Sequence, residues 1–184
     1  MNIRDRLRGD ERRQLGTSDS VSSDILRRPE GFVELFEAFF DEDPVVRIRA
    51  ADAAEKATRG RPDLLVPFRR RLISEAGSIE QPEVRRNIAQ MLPRIKLEAK
   101  ERAKAIALLQ RYLLEGHPAL VLAAMQSLTD FSNDDAVLRE KMIPLLERFS
   151  REASDERTKF RARQMFARLT SQQNRRGPGA KPRR

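Results

Sequence analysis

The 184-residue sequence has no cysteine, no tryptophan, one histidine and one tyrosine. Without cysteine there is no disulfide framework, no thiolate metal site and no cysteine nucleophile. With a single imidazole, His117, a zinc site of the usual nitrogen and sulfur ligands is not expected. We therefore predict no metal, no cofactor and no catalytic residues. The lack of cysteine fits a reducing compartment, and we expect a cytoplasmic location.

Long apolar runs are also missing. No segment approaches the roughly 20 apolar residues that span a bilayer, so no membrane span is expected. Residues 1–16 are basic but lack the apolar stretch of a secretory signal, and we predict that they are not one. Glycine is sparse, with 8 residues, and β-branched residues are few, whereas Ala, Leu, Arg and Glu are common. This balance predicts an all-α fold.

The formal net charge of +9 is unevenly distributed along the chain. Residues 171–184 contribute +5 and residues 1–16 contribute +2, which leaves +2 for residues 17–170. The folded body is thus close to neutral by net charge. The last segment is rich in glycine and proline and nearly free of apolar side chains, which predicts a disordered basic tail over 171–184. Its basic residues are Arg175, Arg176, Lys181, Arg183 and Arg184.

The stretch DPVVRIRAADAAEKAT, residues 43–58, sets the pattern for the rest of the chain. Asp43 followed by Pro44 is typical of a helix N-cap and first helical position. Helical spacing then places small or apolar residues on one face. These residues are Val46, Ala50, Ala53, Ala54 and Ala57. Because the side chains are small, a neighbouring helix is expected to approach closely.

Related segments recur with one register. Pro44, Pro82, Pro118 and Glu156 align at offsets of 38, 36 and 38 residues. Within the aligned segments, apolar or small residues recur in layers, such as Ala50, Ile88, Ala124 and Ala162. This period is typical of a helical solenoid.

The helices that precede these segments match more loosely. Pro67 and Pro144 lie inside two of them, which suggests recurring kinks. In the helix predicted over 98–114, we expect Ala103, Ile106, Leu109 and Leu113 to face the core. The last helix is predicted over 155–169.

A helix with an internal proline, a turn and then D-P-x-V-R-x-x-A-A-x-A resembles the HEAT repeat. The best match is DPVVRIRAADAAEKA at 43–57, followed by QPEVRRNIAQML at 81–92. The chain also resembles short bacterial HEAT-repeat proteins without an established activity. The resemblance implies a right-handed α-solenoid, or α-α superhelix, of about four hairpins. Their expected limits are 30–59, 60–97, 98–132 and 133–170, within a domain over 30–170, after an N-terminal basic segment and capping helix over 1–29. In such repeats an arginine after the turn pairs with turn carboxylates, which for Arg47 suggests Asp43.

The outer face of the second helices would line the concave side of such a stack. Helical geometry places a polar strip there, and we name these residues the concave strip: Arg49, Asp52, Lys56, Asn87, Gln90, Arg94, Gln126, Asp130, Arg161, Gln164 and Arg168. Solenoids bind partners in their concavity. The leading hypothesis is therefore a non-enzymatic scaffold or adaptor that binds a protein partner along this strip. On this hypothesis Arg49 faces solvent, and Arg49→Ala should barely change stability.

Three alternatives stay open. The basic tail predicts salt-sensitive, sequence-independent binding to nucleic acid or an anionic surface. A cluster of arginines is a second candidate surface for binding a partner. Such a cluster is also typical of the solvated side of a helix. Its members are Arg59, Arg61, Arg69, Arg70 and Arg71. An enzyme similar to HEAT-like DNA glycosylases or to bilin lyases is a distant third. It would require a converging polar pocket, and glycosylases of that type also depend on aromatic side chains, including tryptophan.

Overall fold

The protein is described by a computed structural model. The structure describes residues 2–8 and 17–176, and side chains as far as 174. Within these residues every regular element is helical and there is no β-strand, which confirms the predicted all-α class. The chain divides into two compact units, Met1–Leu108 and Leu109–Arg184, and each is described by itself.

The described part of the chain contains ten α-helices: α1 Ile3–Arg8, α2 Thr17–Arg27, α3 Phe32–Glu37, α4 Pro44–Gly60, α5 Arg69–Ser74, α6 Pro82–Met91, α7 Ala99–Tyr112, α8 Pro118–Phe131, α9 Ala136–Glu152 and α10 Glu156–Arg176. Short 3-10 helices lie between some of them: Pro29–Gly31, Ala38–Phe40, Pro62–Phe68, Ala76–Ser78 and Leu92–Arg94. Residues 9–16 and 177–184 lie outside the described part, so the predicted disorder of the tail is not addressed there.

Helix α4 is the centre of the first unit, where it contacts α1, α2, α3 and α6. Its small face is fully buried, as predicted from the spacing: Val46, Ala50, Ala53, Ala54 and Ala57. The apolar side of the next segment, which includes the predicted layer residue Ile88, is buried as well: Val84, Ile88, Met91, Leu92 and Ile95. Methyl-sized side chains let neighbouring backbones approach α4, and the larger side chains of its neighbours fill the remaining space.

Aromatic rings form a second part of this core. The ring centroids of Phe36 and Phe68 lie 4.5 Å apart, and those of Phe32 and Phe68 lie 5.7 Å apart. Phe39 stacks beside Phe36 at 5.1 Å. Phe32, Phe36 and Phe39 are buried, whereas Phe40 stays 37% exposed.

Two predicted features of the helices differ from the structure. Pro67 lies in the 3-10 helix Pro62–Phe68 rather than in a kinked α-helix, because two prolines without N–H groups interrupt the α-helical hydrogen bonds within seven residues. Pro144, in contrast, lies inside α9. In α7 the predicted face is wrong for Ala103, which is exposed. The buried side is instead formed by Ala105, Leu108, Leu109 and Tyr112.

In the second unit α8, α9 and α10 pack against one another. Ala162, Met165 and Leu169 are the buried side of α10, in agreement with the repeat alignment. Helix α10 continues to Arg176, beyond the predicted end at residue 169. Its continuation is explained by the sequence TSQQNRR, which has no glycine or proline before Gly177.

Acidic residues before several helices act as caps. The Asp43 carboxylate accepts a hydrogen bond from the Val45 N–H at 2.8 Å, and the Asp135 carboxylate accepts one from the Leu138 N–H at 2.9 Å. Gly116 has φ +72°, and it follows α7 where the left-handed conformation favours glycine. The Asp43 contact confirms its predicted N-cap position.

Ala50→Arg should destabilise the protein by several kcal/mol, on the order of 3 or more, because it forces a charge into the fully buried face of α4. Ala103→Arg is the matched control, since Ala103 is exposed on α7 and should tolerate the same substitution within about 0.5 kcal/mol. Urea denaturation of both variants measures the difference. Equal stability of the two variants would contradict the observed helix faces.

Candidate functional site

In the first unit the concave strip is occupied by the chain itself. The Arg49 guanidinium donates hydrogen bonds to the carbonyl oxygens of Leu7, at 2.6 Å, and Arg8, at 3.2 Å, at the end of α1. The Lys56 ammonium lies 2.6 Å from the Asp19 carboxylate of α2 and 2.8 Å from that of Asp52. The strip residues of α4 therefore bind two helix ends. The expectation that Arg49 simply faces solvent is wrong, because α1 and α2 pack on this part of α4.

Further contacts hold α1 in place. The Asp41 carboxylate lies 3.4 Å from the Arg8 guanidinium and 3.9 Å from that of Arg4. The Ile3 N–H donates a hydrogen bond to the Glu34 carboxylate at 2.8 Å. The backbone N–H of Asp43 and, with smaller effect, Arg8 and Arg4 lower the pKa of Asp41, so this carboxyl is ionised at neutral pH.

The strip residues of the next segment are also buried, half-buried or hydrogen-bonded within the chain. Asn87 is only 1% exposed, so it does not lie on an open surface, and its Nδ2 has no hydrogen-bond partner among the described residues. Gln90 is half-buried. The Arg94 guanidinium donates to the Glu55 carboxylate, to the Glu55 carbonyl oxygen at 2.7 Å and to the Thr58 hydroxyl oxygen at 3.1 Å. These residues connect α6 and its 3-10 extension to α4.

Glu55 is the best-buried carboxylate of this network, with 2% of the residue exposed. Burial alone would favour its neutral form. Hydrogen bonds from Arg59 and Arg94 outweigh burial, and the pKa of Glu55 lies below its ordinary value. Its two oxygens accept hydrogen bonds from Arg59 at 3.0 and 2.6 Å. The group is a structural anion between two cations.

The strip residues of the second unit are half-buried on α8 and exposed on α10. On α8, Gln126 donates a hydrogen bond to the Asp130 carboxylate at 3.1 Å, and both residues are half-buried. Asp130 in turn accepts from the Arg168 guanidinium of α10 at 2.9 Å, and about two fifths of the Arg168 side chain is exposed. Arg161 donates to Gln164 at 3.0 Å, and both are exposed. The strip therefore differs between the two units in its accessibility.

Three arginines share one arrangement at the turns. Each lies four residues after a helix N-cap and donates to a carbonyl oxygen six residues earlier. Arg47 binds the Asp41 carbonyl at 2.8 Å, Arg139 binds that of Asn133 at 2.6 Å, and Arg85 binds that of Ile79. Arg47 also donates to the Gln81 side chain. Backbone carbonyls and Gln81, rather than the Asp43 carboxylate, are thus the hydrogen-bond partners of Arg47.

Each arginine of the predicted basic cluster is paired with a carboxylate. Arg59 binds Glu55 and Arg61 binds Asp63 at 2.7 Å. Arg69 and Arg70 lie 3.0 and 3.2 Å from the Glu101 carboxylate. Arg71 lies between the carboxylates of Glu37 and Glu75, with its guanidinium carbon 5.2 Å from the Phe36 ring centroid. This pairing agrees with the solvated-helix interpretation of the cluster.

An open groove of about 650 Å³ lies beside the Arg69–Arg70–Glu101 cluster. Ile73 and Ala99 contribute to its wall, together with Lys100 and Lys104. The Arg69 hydrogen bond lowers the pKa of Glu101, so this carboxyl is ionised at neutral pH. The groove is an open, mostly apolar depression at the start of α7.

Other predicted features are placed as follows. His117 is exposed and occupies the N-cap position of α8. Among the described residues, no group of three or more His, Asp or Glu side chains could hold a metal ion. No helix in the described part of the chain is long and apolar enough to cross a bilayer. The tail residues Lys181, Arg183 and Arg184, and the side chains of Arg175 and Arg176, lie outside what the structure describes.

No model of a protein family, no curated protein and no solved structure matches the chain. The HEAT resemblance and the solenoid arrangement therefore stay predictions. What is established is the all-helical fold and the network of contacts within each unit.

Glu55→Gln should lower the free energy of unfolding by about 2 kcal/mol at pH 7, because it removes the anion between Arg59 and Arg94. The pKa of Glu55 is lower in the folded chain than its ordinary value of 4.5, so its ionised form stabilises the fold above that pH. This contribution disappears as the pH falls through the folded-state pKa. The variant should consequently lose less stability than the wild type on acidification below about 4.5.

Urea denaturation at several pH values measures this effect. Glu156→Gln is the control, because Glu156 is exposed and its ion pair with Lys159 is solvated, so the free energy of unfolding should stay nearly unchanged. Parallel pH profiles for wild type and Glu55→Gln would show that Glu55 is not a stabilising anion.

Arg49→Ala should destabilise the protein by about 1–2 kcal/mol and accelerate amide hydrogen exchange in α1, because two carbonyl oxygens of α1 lose their donor. The control is Arg161→Ala. Arg161 lies 112 residues after Arg49, at the aligned position of the repeat register, and it is exposed. Its guanidinium donates a hydrogen bond to the neutral side chain of Gln164. This substitution should change stability by less than about 0.5 kcal/mol. Unchanged exchange in α1 upon Arg49→Ala would mean that this part of the strip is free.

Proposed function

We propose that this chain is a non-enzymatic, HEAT-type helical-repeat scaffold that binds a protein partner. In this proposal the binding surface is the part of the concave strip in the second unit: Gln126, Asp130, Arg161, Gln164 and Arg168. The strip of the first unit serves the chain's own N-terminal helices instead. The chain thus acts as an adaptor that binds a partner and catalyses no reaction.

One observation carries the proposal. The strip of α4 already binds protein segments, since Arg49 holds the end of α1 and Lys56 holds the Asp19 carboxylate of α2. This contact supports the proposal, because the polar face of α4 holds two helix ends of the same chain. The corresponding face of α10 is aligned with it in the repeat register and carries the same kinds of donors.

The repeated turn arrangement supports the helical-repeat part of the proposal. Arg47, Arg85 and Arg139 each bind a carbonyl oxygen of the preceding turn, at one fixed distance along the sequence. Arg47 and Arg85 are 38 residues apart, as are Pro44 and Pro82, so this contact recurs with the apolar faces of two segments, as expected of a repeat array. Arg139 repeats the contact at the start of α9, outside that register.

The pairing of charged groups supports a non-enzymatic role. A general acid or base is tuned toward neutral pH by its surroundings. The pKa values of Glu37, Glu55 and Glu101 are instead lowered by arginine partners, which keeps these carboxylates ionised and occupied. The glycosylase and bilin-lyase alternatives gain no support from this pattern.

A second candidate function is binding to nucleic acid or another anionic surface, and the charge distribution favours it. Residues 156–184 contain ten arginines and lysines and one acid, so they alone account for the formal charge of +9. Binding of this kind would weaken steeply between about 50 and 200 mM salt. The basic tail would supply part of it.

Affinity capture from a cell lysate tests the leading proposal. The bait proteins are the wild type and a variant with Gln126→Ala, Arg161→Ala and Arg168→Ala. We expect at least one protein to be captured reproducibly by the wild type and lost with the variant. Identical sets of captured proteins would contradict binding through the strip.

A control variant changes the same number of residues on the exposed face of α9. It carries Glu140→Ala, Lys141→Ala and Arg148→Ala, all of which are exposed. It should capture the same proteins as the wild type.

For the second candidate, the full chain and a chain ending at Arg176 are compared on single-stranded RNA and duplex DNA. Loss of binding on truncation assigns it to the tail, and no binding by either chain rejects this candidate.

A further inference from the structure

The charge of the second unit is concentrated on its last helix. Over residues 156–174 the described side chains include five cations and one anion. Arg157, Arg161 and Arg163 are exposed, and Arg161 donates a hydrogen bond to the neutral side-chain amide of Gln164. Because residues 156–184 carry the whole formal charge of the chain, residues 1–155 are neutral in sum. This helix is therefore suited to an anionic partner.

The same helix exposes an apolar ring. Phe160 is 56% exposed and lies opposite the buried side formed by Ala162, Met165 and Leu169. Gln164, Ala167 and Ser171 follow at helical spacing and are exposed too. A narrow stripe with an aromatic anchor thus runs along α10 with arginines on both sides. This spacing is suited to a partner helix that lies along the exposed stripe of α10.

The aligned positions of α4 in the first unit contact helix ends. Arg161 corresponds to Arg49 and Arg168 corresponds to Lys56, each 112 residues later. On α4 these positions hold helix-end carbonyl oxygens and an aspartate carboxylate of a helix. On α10, Arg168 is paired with the partly exposed Asp130, which a stronger carboxylate contact can replace.

We propose that the exposed face of α10 binds an acidic amphipathic helix of a partner protein. Its carboxylates pair with Arg161 and Arg168, and its apolar side covers Phe160. The inference rests on the proposed function and specifies the partner for the same site. The precedent on α4 favours a helix over a nucleic acid, because the aligned positions there hold helix-end carbonyls and a carboxylate.

Selection from a display library of helical peptides with random, charge-unbiased surfaces tests the proposal on the full chain. We expect the selected peptides to carry a net negative charge and acidic residues along one face. The double variant Arg161→Gln, Arg168→Gln should weaken their binding by about tenfold or more. A proline placed in the middle of a selected peptide should abolish binding, because it breaks the helix.

The matched control is the double variant Arg148→Gln, Arg151→Gln on α9, which removes the same charge. It should change the dissociation constant by less than about twofold. Equal losses with both double variants, or retained binding of the proline-containing peptide, would show mere charge attraction and overturn the inference.

Two further outcomes separate the inference from the proposed function. Neutral or basic peptides that depend on Arg161 and Arg168 would overturn the acidic-helix inference while leaving strip-dependent protein binding intact. A single-stranded oligonucleotide of about 20 nucleotides that binds through the same two arginines and displaces the peptides would assign the surface to nucleic acid and also overturn it. Failure to select any peptide counts against the inference, whereas the proposed function is judged by the lysate capture.

Discussion

The close packing of the alanine face of α4 is the constraint on which the first unit depends. Ala50, Ala53, Ala54 and Ala57 are fully buried, and α4 contacts four other α-helices. Short side chains bury little area each, so the stability of such a contact comes from dense packing over a long helix. The same helix holds charge at its edges, with Glu55 neutralised by arginines from its own turn and from the next segment. Close packing and charge pairing thus both hold the neighbouring helices against α4.

The sequence predicts the buried faces well because they depend on local spacing. Proline and aspartate mark the start of each second helix, and apolar layers recur in register, so Ala50, Ile88 and Ala162 are placed correctly. The face of α7 is predicted wrongly at Ala103 because Ala, Ile and Leu surround this helix on several sides, and spacing alone leaves its rotation undetermined. The end of α10 is predicted too early because polar residues are not helix breakers.

The candidate site is harder to predict because it depends on contacts between distant segments. Arg49 and Lys56 are placed on the correct side of α4, but the sequence has no local signal that α1 and α2 cover that side. For Glu55 the partner Arg59 is visible at four-residue spacing, whereas Arg94 comes from 39 residues later. The alanine-rich sequence around Glu55 is the signal that indicates a buried carboxylate.

We propose that one kind of surface has two uses: docking of the chain's own helices on α4 and docking of a partner on α10. The absence of native cysteine permits a direct test of the first use. A variant with Asp19→Cys and Lys56→Cys, treated with a short bismaleimide, should form an intramolecular cross-link that joins the peptides of α2 and α4, as located by mass spectrometry. Failure to form that link in the folded monomer would contradict the claim that the polar face of a second helix docks protein segments.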